Sequence, residues 1–166
     1  DLLRMNTDSP ALLERILRAL PVSSQQRLLI MGWEEFPPPR DPARLLLRAI
    51  GAPTPVHLVD LELETDRWLG QHVVTQGVIQ QPSTPDGEPF LGRLALSLAL
   101  LPPEQLLLAQ RLTERCRLIG VLLEAPPAET PGGPRLHSPP RMHPTPYQPP
   151  ALASLAVVAI SSERAL

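Results

Sequence analysis

Lysine is missing from this chain, and all 15 basic residues are arginine. That uniformity points to GC-rich coding rather than to a chemical need for guanidinium. Against 17 Asp and Glu the net charge is −2, so no basic surplus marks nucleic acid as a partner. A single cysteine, Cys116, excludes an internal disulfide and a multi-cysteine metal site. Aromatic residues make up 3 % of the chain, so its core must be built from Leu, Val, Ile and Ala. No apolar run approaches the roughly 18 residues of a membrane span. The best candidate, "LALSLALL" at 94–101, stops at Pro102-Pro103. With no signal-peptide pattern at a start that resembles a fragment, the expectation is a cytoplasmic, monomeric protein without a membrane span.

What the chain does have is 43 % hydrophobic residues over 166 positions, enough for one domain with a sizeable core. Its 23 prolines are unevenly placed. They gather in "FPPPRDP" at 36–42 and in a long stretch at 125–150, which reads as a surface loop or lid within a single domain spanning 1–166.

Hydrophobic spacing supplies a coarse order of elements. Ser9-Pro10 opens a helix with Leu12, Leu13, Ile16, Leu17 and Leu20 on one face, ended by Pro21. "QRLLIMG" at 26–32 reads as a strand. Asp41-Pro42 starts a second helix that Gly51 stops, with Leu45, Leu46, Ala49 and Ile50 on its apolar side. In "PVHLVDLELE" the alternation of Val59, Leu61 and Leu63 with Asp60, Glu62 and Glu64 predicts a half-buried strand. "GQHVVTQGVIQQ" at 70–81 predicts another, followed by the turn signal Asp86-Gly87. "FLGRLALSLAL" returns as a strand. Its Leu-rich face carries Phe90, Leu94, Leu96, Leu98 and Leu100, and its small-residue face carries Arg93, Ala95, Ser97 and Ala99. A third helix is expected from Pro103-Glu104 to about Leu118, with Gly120 as its stop, Arg115 and Arg117 in its last turn and Cys116 as a buried, inert thiol. "ALASLAVVAIS" closes the chain as a strand. Hairpin-linked strands with a few helices indicate an α+β fold on a mostly antiparallel sheet.

Three stretches then resemble the chorismate lyase (chorismate–pyruvate lyase) family. They are "RLLIMGWEEFPPPRDPARLLLRAIGAPTPVHLVDLEL" at 27–63, "DGEPFLGRLALSLALLPPEQL" at 86–106 and "RLIGVLLE" at 117–124. The resemblance covers roughly 27–124 and lies in order and spacing rather than in one motif. It implies about six antiparallel strands with helices packed against them and a buried ligand cavity. It also implies cofactor-free elimination of pyruvate from chorismate, leaving 4-hydroxybenzoate for quinone biosynthesis. Such a site must pair the substrate carboxylates with cations and help an ether oxygen leave. Gly92-Arg93 and Ile119-Gly120 match the family pattern. The family's arginine early in the strand "GQHVVTQGV" is replaced by Gln71 and His72. Its glutamate in the last strand falls at Ser154, Leu155 or Ala156, with Glu163 further on. The competing reading is therefore a non-catalytic ligand-binding or protein-interaction module of the same fold.

The candidate substrate-binding residues are Gly92, Arg93, His72, Ile119, Gly120, Arg135 and Arg141, toward a small aromatic or cyclohexadienyl carboxylate. Catalytic residues are left unassigned. Arg93 is either a carboxylate clamp in a cleft or a solvent-facing arginine. His72 either donates to a carboxylate or is a strand-surface histidine. Arg135, His137, Arg141 and His143, in "RLHSPPRMH", are either a cationic lid or a solvated loop. The His137–His143 spacing lacks carboxylate or cysteine support, so no metal site is expected. Asp60, Glu62 and Glu64 read as an exposed acidic face. Ser97 has no triad partner.

Overall fold

A computed structural model describes residues 2–33, 41–82, 87–125 and 151–162, with the side chains of 2–9 left aside. The Pro-rich segment 126–150, Asp86 and Glu163 lie outside the described residues.

The chain begins with three helices, α1 (Leu2–Ala19), α2 (Val22–Ile30) and α3 (Pro42–Ile50). After them come β1 (Thr54–Pro55), α4 (Leu58–Leu63), α5 (Thr65–Trp68), β2 (His72–Gln80), β3 (Phe90–Leu91) and β4 (Leu94–Ser97). The described elements end with α6 (Pro103–Arg111), β5 (Arg115–Glu124) and β6 (Ala153–Ser162). The fold is α+β, with helices around a mixed sheet. Strand order is β1-β2-β3-β4-β6-β5, and β2 also pairs with β5, so five strands close into a barrel with β1 outside. Two pairings, β1–β2 and β4–β6, are parallel and the others are antiparallel.

Closure makes two cores. The barrel interior holds Val73, Leu94, Leu96, Leu118, Leu122, Leu155 and Val157, among others, with Leu61 and Leu106 sealing it from the helices. The second core lies between α1–α3 and the outer faces of β5 and β6, where Leu13, Ile16, Leu28 and Leu46 meet Val121, Leu123, Ala156 and Val158. Each fully buried leucine contributes about 1.5–3 kcal/mol relative to exposure. Trp33, wholly buried, donates from Nε1 to the Leu13 carbonyl at 3.0 Å. Without that bond its indole N–H would cost about 1–3 kcal/mol.

A bulge aligns both cores. Ile119 pairs with Ala159 but Gly120 pairs with Val157, so Val158 is an extra residue in β6. The bulge shifts the parity of β6: Ala153, Leu155 and Val157 face the barrel before it, and Ile160 does after it. Gly120 sits against this bulge, where an added Cβ would lie 2.2 Å from the Ala156 carbonyl oxygen. Where β6 runs past β4, Gln105 of α6 accepts the Ile160 amide at 2.8 Å, so a side chain caps an otherwise open strand edge.

Several expectations are met. Leu12, Leu13, Ile16, Leu17 and Leu20 are all buried. Asp41 caps α3 by accepting the Arg44 amide at 3.1 Å, and Gly51 ends that helix at φ 90°. The strands around 72–80 and 153–162 also form.

Others are corrected. Residues 26–32 belong to α2 and the turn after it, because "LLIM" is too short a run to separate strand from helix. In α2 only Leu28 is buried, while Ile30 is 86 % exposed. Residues 58–63 are helical despite their alternation: Leu61 is buried, but Val59 and Leu63 are exposed. The expected third helix stops at Arg111, and Arg115, Cys116, Arg117 and Gly120 lie on β5. Cys116 is buried, but on a strand, and Gly120 is a mid-strand packing position rather than a helix stop.

Gly120→Ala should destabilise the domain by about 2–3 kcal/mol, because the neighbour it meets is backbone. Gly51→Ala, with nothing within 4 Å but at φ 90° and ψ −178°, a region open essentially to glycine alone, should cost about 1–3 kcal/mol through backbone strain rather than contact. Urea titration of both variants measures the difference.

Candidate functional site

Arg93 is not on a strand. It follows Gly92 in the two-residue turn between β3 and β4, where Leu91 pairs with Leu94. Gly92 has φ 59°, as a mirror-image hairpin turn with glycine first requires. The Arg93 amide donates to Glu62 Oε2 at 2.9 Å, and the Arg93 carbonyl accepts the Leu152 amide at 3.0 Å. A Cβ on Gly92 would stand 2.7 Å from the same Glu62 oxygen. The Gly92-Arg93 pair is thus a backbone joint clamped by α4, and the Arg93 side chain is exposed. Glu62, expected on an acidic strand face, is the clamp.

His72 opens β2 and is buried, not a surface histidine. Its Nδ1 lies 3.1 Å from the Gly51 carbonyl, so Nδ1 carries the proton of the neutral ring. Nε2 is buried with no partner among the described residues. Burial pushes the imidazole pKa below its ordinary value, and the Gly51 hydrogen bond opposes that shift more weakly. His72 is therefore a neutral buried group that ties β2 to the end of α3.

Ile119 and Gly120 lie at the bulge of β5, Ile119 on the outer face and Gly120 against the backbone of β6. Arg135 and Arg141, with His137 and His143, lie outside the described residues. Of the expected site residues within them, Gly92 and Arg93 share the β3–β4 turn and Ile119 and Gly120 the bulge, while His72 pairs with Val121 beside that bulge and is remote in register from the turn. Leucine side chains fill the barrel interior. Thr75, on the inward face of β2, leaves its hydroxyl with no partner among the described residues. Ser97 Oγ meets Ser154 Oγ at 3.1 Å, and among the described residues it forms no triad with a histidine. Among the described residues no three His, Cys, Asp or Glu side chains are placed to hold a metal ion, and no helix is long and apolar enough to cross a membrane.

The concave feature lies elsewhere. A half-open cleft of about 380 Å³ is lined by Arg15, Arg18 and Ala19 of α1, Leu69 and Gly70 before β2, and Leu122, Leu123 and Glu124 at the end of β5. Gly70 allows its walls to close. At φ 76° it brings the chain so near α1 that a Cβ would stand 2.3 Å from the Ala19 carbonyl oxygen. The Gly70 amide donates to the Leu122 carbonyl at 2.7 Å. Arg15 Nη2 crosses to the Glu124 carbonyl at 2.9 Å, and Arg18 pairs with Glu14 at 2.6 Å. Sequence reasoning passed over both arginines, which lie on the polar side of a regular amphipathic helix. Their i, i+3 spacing was the available signal, but the cleft forms only where the end of β5, about a hundred positions away, is brought beside them.

No family model, curated protein or solved structure matches this chain.

Two outcomes follow from these contacts. Because the folded-state pKa of His72 lies below its unfolded value, its contribution to stability is complete above about pH 6.5. It declines as pH falls through that value toward the folded pKa. The wild-type Tm should therefore drop more between pH 7 and pH 5 than that of His72→Asn, whose amide can still donate to Gly51. Glu62→Ala should lower stability by about 1–2 kcal/mol and speed amide exchange at Arg93, as read by hydrogen–deuterium exchange.

Proposed function

We propose that this domain is a non-catalytic ligand-binding or protein-interaction module rather than a lyase. One observation supports the reading: the enclosed interior of the barrel is packed with Leu94, Leu96, Leu118, Leu122 and Leu155. A dianion entering an apolar interior must meet paired cations, or its desolvation exceeds anything that binding returns. Among the described residues the candidate cations do not converge there. The Arg93 guanidinium is exposed on a turn, and His72 is neutral and bound to Gly51 on the outer side of β2. At the two positions where the resemblance implies a charged pair, the arginine and the glutamate are both missing. His72 opens β2 in place of an arginine, and Ser154, Leu155 and Ala156 are uncharged and buried in β6.

The lyase reading survives only if charged groups assemble differently when substrate arrives. Incubating the purified full chain with chorismate, and following 4-hydroxybenzoate and pyruvate, separates the two readings. The expected result is no product above the buffer rate. Formation of both products in proportion to protein, lost in Arg93→Ala, would overturn the module reading and establish the lyase.

A further inference from the structure

We infer that this chain associates with a second copy of itself, the α2 face of one copy docking on the α4 face of the next. The inference goes beyond the module reading, since such a contact is open to a lyase and to a binding module alike.

In α2 only Leu28 is buried. Val22, Leu29 and Ile30 are exposed, Ile30 at 86 %. Spacings of seven and eight residues put the three on one side of the helix, around Gln26. Single exposed apolar side chains are ordinary, but a contiguous apolar face marks a contact surface. Its border is basic. Arg27 reaches the Ala49 carbonyl at 3.3 Å, a neutral acceptor that leaves the guanidinium charge in place. The helix packed beside α2, α3, adds exposed Arg44 and Arg48. Among the described residues of α2, α3 and their caps the one carboxylate is Asp41, which is occupied in capping α3. Glu34 and Glu35 lie outside the described residues.

On α4 the border has the opposite sign. Val59 and Leu63, one turn apart, are exposed, Leu63 at 78 %. Asp60 and Glu62 flank this stripe, and Glu64 and Asp66 continue the acidic run into α5, where Arg67 is the one cation. Arg67 is taken by Glu64 at 3.0 Å, and Glu62 accepts the Arg93 amide. Asp60 and Asp66 have no salt bridge among the described residues.

The charges choose the pairing. Two α2 faces would set arginine against arginine, and two α4 faces carboxylate against carboxylate. Unlike faces bring guanidinium to carboxylate around a shared apolar centre. Each contact therefore leaves a free α4 on one copy and a free α2 on the other, so copies add head to tail.

Sedimentation velocity of the full chain, from about 10 μM to about 1 mM, tests the contact with Ile30→Asp and Leu63→Asp. Both positions are exposed, so neither substitution touches a core, and the Tm of each variant checks that it folds. The wild-type chain should associate with a Kd on the order of 100 μM per contact, as a small interface does, and its mean mass should rise past that of a dimer. Each variant alone should stay monomeric. Mixed in equal amounts, the two should form dimers and stop there, because only the α2 face of the Leu63→Asp chain and the α4 face of the Ile30→Asp chain are intact. In about 1 M NaCl, where the screening length falls to about 3 Å, the wild-type Kd should rise about tenfold. A wild-type chain that is monomeric throughout, association retained in either variant, no dimer in the mixture, or a Kd indifferent to salt would overturn the inference. The two proposals fail separately. Turnover of chorismate by a chain that associates would remove the module reading and leave the contact. A monomer that forms no product would remove the contact and leave the module reading.

Discussion

Strand β5 is hydrogen-bonded along both edges, to β2 from His72–Val121 to Val78–Arg115 and to β6 from Cys116–Ser162 to Glu124–Ala153. The rest of the fold depends on this double pairing. It closes the barrel, because β2 and β6 are otherwise joined only through the short strands β3 and β4. It also sets the two cores, since alternate residues of one strand must face opposite sides. Cys116, Leu118 and Leu122 enter the barrel, and Val121 and Leu123 meet the helices. A closed sheet leaves few free edges, and the residual one on β6 is capped by Gln105.

A small barrel with so few aromatic residues can only be filled by aliphatic side chains, and leucine does most of that filling. That economy has a functional consequence. An interior packed at the density of a protein core has no room for a polar ligand, so concave space appears where elements meet at the barrel's end. The α1–β5 cleft is such a place. Gly70 lets a connecting segment pass close to α1, and the ends of β5 and α1 supply the floor and the charges. The residues that looked most chemical instead hold backbone. Glu62 clamps the β3–β4 turn, His72 anchors Gly51, and Gly120 admits the β6 bulge.

The sequence by itself determined the α+β class, the helix through 12–19 though not its start at Leu2 ahead of Pro10, the helix at 42–50, and the strands around 72–80 and 153–162. In each case the local signal and the global fold agree. Leucines at 3.6-residue spacing, an Asp-Pro start, a Gly stop and β-branched runs all say the same thing that packing later demands. Tertiary structure alone decided the rest. The alternating stretch 58–63 became helix because Leu58 and Leu61, three residues apart, reach the barrel together, and tertiary burial outweighs a pattern of six residues. The alternation of Arg115, Cys116, Arg117 and Leu118 was strand-like in the sequence. It was outcompeted by the helical run before it, and only the ladder to β2 and β6 settles it. The site was least legible. Arg15 and Arg18 read as an ordinary polar helix face until the end of β5 is brought beside them, and no local pattern encodes a contact across about a hundred residues.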